Sequence, residues 1–243
     1  MAAAPPFLAD GRQGPGEGEV PPGFRRALAD LDAALEGALP RPEVLLTPIP
    51  APRRLAPFAH ALEGVVSVDG EQLADGRFVL LHDPAGQDAW RGAFRVVTYA
   101  RTEVEPEIAA DPLLPEVTWS WLTGALAARA VAYLEPSGTV TRADSHSFGR
   151  IAERPPEWRL EIRASWTPGP ATPAPRPPGE ATEGAGAPAV PDLGGHLAAW
   201  CDLLCQCAGL PPREPEGGAA DGGTPGGVGR VVPLPKRRGP QPS

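Results

Sequence analysis

The residues best suited to chemistry lie close together near position 200. Cys201, Cys205 and Cys207 are the only cysteines of the chain, and His196 precedes them. On a helix Cys201 and Cys205 are one turn apart and share a face, so both could reach one metal ion. Cys207 would point roughly opposite Cys205, and no C-x2-C pair is present, so one helix cannot offer four tetrahedral ligands. The spacing favours small apolar residues on a buried stripe, with a metal or redox pair at Cys201 and Cys205 as the alternative.

Two other histidines have polar neighbours that could serve in catalysis. His82 and Asp83 end a predicted strand, but adjacent strand residues point to opposite faces and cannot couple directly. The Ser-His-Ser run at 145–147 lacks the G-x-S-x-G elbow of a nucleophilic serine and is typical of a polar edge strand. Neither pattern predicts an active site, and no catalytic residue is assigned.

A pair of tryptophans is the preferred functional feature. Trp119 and Trp121 are two residues apart, which on a helix sets their side chains about 160° apart. One indole can pack on a sheet while the other faces a partner, where tryptophan often contributes strongly to binding. The alternative is that both lie in the core of one domain.

Four arginines form a second candidate binding surface. They point outward on predicted strands and could join into a cross-strand patch for an anionic ligand if those strands are neighbours. The alternative is ion pairing with acidic residues of the same strands. The arginines are Arg95, Arg101, Arg159 and Arg163, and the acidic residues are Glu103, Glu157 and Glu161.

Composition excludes several classes of function. The chain has 243 residues, 22 basic and 30 acidic, and a net charge of −8, which disfavours binding to nucleic acids and anionic membranes. Lys236 is its only lysine, so a P-loop or a Schiff base has no amine in residues 1–235. No cofactor is predicted. With three clustered cysteines, no apolar run long enough to span a bilayer and no signal-peptide pattern at residues 1–10, a cytoplasmic location is expected.

Glycine and proline divide the chain into folded and loose parts. They concentrate in residues 1–22, 167–191 and 211–243, which have few large apolar side chains and are predicted to be a disordered arm, linker and tail. Residues 23–166 with 192–210 are predicted to form one domain. The tail carries a short basic, proline-containing stretch around Lys236 that could touch nucleic acid or an SH3-like groove, a solvated tail being the alternative.

Hydrophobic periodicity predicts the elements of that domain. Apolar residues from Phe24 follow a helical stripe, and strands are expected at 59–68, 77–83 and 91–104, with turns at Asp69-Gly70 and Asp75-Gly76. A helix buried on several sides follows at 116–130, then a polar edge strand at 137–147 and an alternating strand at 158–166. A last helix spans 193–209 and ends at Gly209. The order α-βββ-α-ββ-α predicts a two-layer α+β fold with an antiparallel five-stranded sheet, and the absence of βαβ units excludes Rossmann and barrel folds.

Three sequence stretches resemble a known family. LADGRFVLLHDPAGQDAW at 73–90, DPLLPEVTWSWLTGAL at 111–126 and LAAWCDLLCQCAGL at 197–210 are similar to an actinobacterial "domain of unknown function" family, number three thousand. That family has no assigned reaction, so the resemblance implies no catalytic residue. The element order is also similar to that of type III secretion chaperones and YbjN-like proteins, a fold-level analogy that implies dimers that bind polypeptides.

These observations favour a non-enzymatic, chaperone-like protein that binds polypeptides and forms a homodimer. A partner segment is expected on an exposed sheet edge, with residues 137–147 as one candidate, or on a helix face. The alternative is a small-ligand binder or enzyme whose site is assembled from distant polar residues.

Overall fold

The computed structural model describes residues 20–37, 41–170 and 191–212, so most of the predicted arm, linker and tail lie outside the described residues. Those ranges contain a 3-10 turn at Gly149–Ile151 and ten longer elements. The helices are α1 (Pro22–Glu36), α2 (Pro106–Ala109), α3 (Leu114–Ala128) and α4 (Leu193–Cys207). The strands are β1 (Val44–Ile49), β2 (Phe58–Val68), β3 (Glu71–Gln87), β4 (Gly92–Glu103), β5 (Tyr133–Ser145) and β6 (Glu157–Pro168).

The strands form one antiparallel sheet in the order β1-β2-β3-β4-β6-β5, which confirms the α+β class. The sheet has six strands rather than the predicted five, because β1 was not expected. Pro48 lies inside β1, and proline argues against a strand unless that strand is at an edge. β1 is an edge strand, paired only with β2 among the described residues.

The hairpin of β2 and β3 turns only once, at Asp69-Gly70, where both residues have positive φ angles of 53° and 83°. The predicted turn at Asp75-Gly76 is wrong, since both residues lie inside β3. Gly76 pairs with Gly64 of β2, and a Cβ on either glycine would crowd the Leu204 side chain of α4. The two glycines therefore create the hollow into which α4 packs.

The alternation predicted for residues 158–166 is present in β6. Leu160, Ile162, Ala164 and Trp166 are buried, whereas Arg163 between them is exposed. β6 continues through Pro168, two residues into the predicted linker. Its buried face belongs to the core that the helices cover.

The helices pack on one face of the sheet. α4 lies across β2, β3 and β4, with α1 and α3 on either side of it. Asp30 of α1 accepts hydrogen bonds from the N–H groups of Leu193 (2.7 Å) and Gly194 (3.0 Å), which satisfies the first turn of α4. Arg129, just after α3, is bound to Asp202 of α4 through two contacts of 2.7 and 3.0 Å. Within the described ranges the opposite sheet face carries no helix.

In the part of the chain that the structure describes, no helix combines the length and apolar character needed to cross a bilayer.

Candidate functional site

The three cysteines occupy the buried side of α4. Each exposes 2% or less of its surface, and none is in a disulfide. Burial raises the pKa of the Cys207 thiol to about 12 and also raises that of Cys201, so neither supplies a thiolate at neutral pH. Among the described residues no three His, Cys, Asp or Glu side chains are grouped to hold a metal ion. Cys201 and Cys205 lie among the buried apolar side chains of the core.

His196 is held as a neutral ring inside the core. Trp166 donates its indole N–H to His196 Nδ1 at 3.1 Å, so the ring proton belongs on Nε2. Burial lowers the pKa of His196 to about 4. This histidine joins β6 to α4 and has no access to solvent.

His82 also belongs to the core. Its ring stacks between Phe24 at 5.6 Å and Phe94 at 4.2 Å, and its Nδ1 lies 3.0 Å from the carbonyl oxygen of Ala93. Asp83 turns away, accepting a hydrogen bond from the N–H of Ala85 at 3.1 Å. The hydrogen bonds of the two side chains go to different partners, although the Asp83 charge opposes the lowering of the His82 pKa by burial.

The two tryptophans of α3 differ in burial. Trp121 is 3% exposed and lies in the core, while Trp119 is partly buried. Trp119 packs over β5, where a Cβ on Gly138 would fall 2.7 Å from its ring. Trp119 thus covers the sheet near its β5 edge, and part of its surface remains accessible.

Arg95 is buried at the open face of the sheet, with 8% exposure. Its guanidinium donates to three hydroxyl oxygens, those of Thr167 (3.2 Å), Ser165 (2.8 Å) and Ser137 (3.2 Å). Burial lowers its pKa. Arg95 links β4 to β6 and β5 through these hydrogen bonds, so few of its N–H groups remain to bind a ligand.

The other three arginines lie on the open sheet face as expected, because β4 and β6 are neighbours. Each contacts a carboxylate, and Arg163 also lies 5.1 Å over the ring of Tyr99. The pairs are Arg101–Asp75 (2.8 Å), Arg159–Glu157 (3.1 Å) and Arg163–Glu161 (3.3 Å). This face is a ladder of alternating charge rather than a uniformly basic surface.

A cleft of about 1100 Å³, here called the sheet-end cleft, opens at one end of the sheet. The β2–β3 turn, the end of β4, the start of β6 and the residues after α4 line it. Its apolar lining includes Val68, Val104, Ile108, Trp158 and Leu210, and three prolines lie beside them. Clefts of this size with an apolar floor are common binding sites.

The lining of the sheet-end cleft is acidic. It includes six carboxylates and two arginines, an excess of four negative charges. Both arginines, Arg101 and Arg159, are already paired with two of those carboxylates. The six are Asp69, Glu71, Asp75, Glu103, Glu105 and Glu157.

The sheet-end cleft is not predicted by the sequence. Its lining comes from four separate stretches between Val68 and Leu210, and only the three-dimensional fold brings them together. Trp158, the one aromatic residue among them, was interpreted as part of an alternating strand. No local pattern marks such a site.

Comparison with known protein families places residues 20–216 in the family described as "Protein of unknown function (DUF3000)". The match spans most of the chain. No curated protein matches the sequence, and no solved structure matches it either.

Proposed function

Since the chain belongs to this family of unknown function, we propose from its geometry that it is a non-enzymatic protein that binds polypeptides along the free edge of β5. The observation that carries the proposal is this edge strand. In the described part of the chain β5 ends the sheet, and nine consecutive residues, 137–145, pair with β6 alone. An extended partner segment would add to the sheet as a seventh strand.

Successive residues of β6 hydrogen-bond alternately to β4 and to β5, and this alternation identifies the backbone groups of β5 that would bind such a segment. The N–H of Val104 donates to the carbonyl of Trp158 at 3.0 Å, so the even-numbered residues of β6 bond to β4. The odd-numbered residues of β6 then bond to β5, where they face odd-numbered partners such as Ser137. The N–H and C=O groups of Gly138, Val140, Arg142 and Asp144 therefore point outward.

The opposite edge of the sheet is poorly suited to the same role. β1 has six residues, and one of them is Pro48, which cannot donate a ladder hydrogen bond. Short strands and prolines are common devices that protect edges from pairing. β5 has thirteen residues and no proline after Pro136.

The charges of β5 also fit a second copy of the chain. Antiparallel pairing of two β5 strands about Ala143 would set Arg142 of each copy opposite Asp144 of the other. Opposite charges in directly facing positions stabilise strand pairs. We expect a homodimer built on this edge when no other segment occupies it, and a cytoplasmic location, since all three cysteines are free thiols.

A matched pair of variants tests the proposal. Arg142→Pro removes an outward N–H without touching the β6 ladder, whereas Arg142→Ala keeps that N–H. Both variants lose the two hydrogen bonds that the Arg142 side chain donates to the carbonyls of Ala109 and Asp111, so the N–H is the difference between them. Peptides selected from a phage-displayed random library against the natural chain are expected to bind Arg142→Pro at least tenfold more weakly. Arg142→Ala should bind them within about threefold, because a β-addition depends on main-chain hydrogen bonds.

Circular dichroism must show similar thermal midpoints for the two variants, so that the comparison reports binding alone. Equal peptide affinity for both variants, or failure of the library to yield any binder, would contradict the proposal. The small-ligand alternative has less support, because all four arginines expected to form its site are bonded within the sheet.

A further inference from the structure

The sheet-end cleft has the chemistry of a groove for a basic, proline-containing segment. Its lining combines apolar side chains, including the aromatic ring of Trp158, with an excess of carboxylates. Grooves that bind proline-rich ligands use aromatic side chains to contact the prolines. Carboxylates in the lining attract the side chains of arginine and lysine.

The chain itself contains a segment of this kind, residues 230–238, with the sequence RVVPLPKRR. Its four basic side chains flank an apolar stretch with two prolines, and such stretches favour the extended polyproline II conformation. The four positive charges of the segment are opposite in sign to the net negative charge of the cleft lining. We propose that this basic segment binds in the sheet-end cleft of its own chain.

The segment is tethered beside the cleft. Leu210 lines the cleft, and the structure describes the chain as far as Pro212. Seventeen residues, seven of them glycine, lie between Pro212 and Arg230. For a glycine-rich stretch of that length a typical end-to-end distance is about 20–25 Å, which would give the segment an effective concentration at the cleft on the order of millimolar.

Two carboxylates are well placed to receive the basic side chains. Asp69 lies in the β2–β3 turn and Glu105 precedes α2, and both line the cleft. Asp75 and Glu157 are already engaged with Arg101 and Arg159. The inference does not rest on the proposed role of β5, which is a different surface.

The sole lysine of the chain makes the proposal directly testable. A carbodiimide joins an amine to a carboxylate only when the two are in contact, and Lys236 is the one side-chain amine present. When the full chain is treated with a carbodiimide and the products are mapped by mass spectrometry, we expect Lys236 to be joined mainly to the carboxylates that line the cleft. Mixing chains labelled with ¹⁴N and ¹⁵N separates products within one chain from those between two.

Three variants and a change of salt concentration test whether the cross-links depend on the cleft. The double variant Asp69→Asn/Glu105→Gln should lower the yield of the cleft products several-fold, while the control Glu36→Gln/Glu116→Gln, on exposed helix positions, should leave it unchanged. Lys236→Arg should abolish the products, because it keeps the charge and removes the amine. A salt increase to about 0.5 M should lower the yield, since screening weakens attraction between exposed charges.

Cross-links from Lys236 scattered over carboxylates outside the cleft would overturn the proposal. So would products found only between differently labelled chains, or the absence of any product from Lys236. A free peptide of residues 228–240 added in millimolar excess should compete and reduce the intramolecular yield; an unchanged yield would also count against the proposal.

Discussion

At the scale of single residues, the polar side chains of the core are held neutral by burial. His196 and His82 both have lowered pKa values, chiefly because burial disfavours the imidazolium. His196 accepts the Trp166 indole N–H, a bond that a protonated Nδ1 could not make. The core therefore opposes protonation at mildly acid pH.

The acid sensitivity of the fold follows from this and can be measured. His196 has a pKa of about 4 in the folded chain against an ordinary 6.5, so the unfolded state binds more protons between those values. Its stabilising contribution is complete above pH 6.5 and falls as the pH drops toward 4. Protonation of His196 in the unfolded state should therefore lower the unfolding free energy of the natural chain by about 2 kcal/mol between pH 7 and pH 5.

Urea titrations at pH 7 and pH 5 compare the natural chain with His196→Gln. The variant keeps an acceptor for Trp166 and should lose about 2 kcal/mol less over that interval. Equal pH dependence in the natural chain and in the variant would show that His196 does not titrate on unfolding.

At the scale of elements, the packing of α4 on the hairpin of β2 and β3 depends on two small residues. Gly64 and Gly76 face each other across the hairpin, and Trp200 and Leu204 of α4 fill the space above them. At Gly76 an added Cβ would also meet the backbone carbonyl of Tyr99, which cannot move as a flexible side chain can.

Alanine substitutions test this packing. Gly76→Ala should lower the unfolding free energy by about 1–3 kcal/mol, and Gly64→Ala by less, because its contacts are only with side-chain atoms. Gly124→Ala is the matched control: no atom lies within 4 Å of its added Cβ, and alanine favours a helix interior by up to about 1 kcal/mol. Denaturant titration measures all three, and a stabilising Gly76→Ala would contradict the packing described.

The same elements show how far a sequence predicts this fold. The stripe from Phe24 and the alternation in β6 were predictable, since each helix or strand faces one apolar layer. The sequence around Asp75-Gly76 predicts a turn that is not there, because the close packing that requires Gly76 comes from α4, more than 120 residues away along the chain. The sequence does not predict β1, because Pro48 argues against a strand there and the only described pairing of β1 is with β2. The sheet-end cleft was out of reach because its lining residues are distant in sequence.

In the molecule as a whole, the two faces of the sheet carry different kinds of side chain. One face carries the apolar core beneath the helices, and the other carries paired charges such as Arg101–Asp75. The charged face discourages stacking of sheets, because ion pairs lose hydration when they are covered. Association through the sheet is therefore expected at an edge.

A charge exchange tests the proposed homodimer. Arg142→Glu would place like charges opposite Asp144 in the β5–β5 pair and should weaken dimerisation about tenfold or more. Arg142→Glu/Asp144→Arg restores opposite charges and should recover much of the loss, as sedimentation equilibrium would show. The proposed register is wrong if the double variant dimerises no better than the single one.

The proline in β1 has a consequence for how large such an assembly becomes. A sheet with two receptive edges can add copies at both ends and grow into a fibre. Pro48 and the short length of β1 disfavour growth at one end, and a two-fold pairing of β5 strands consumes the other end in both copies at once. Assembly would then stop at two chains and a continuous sheet of twelve strands.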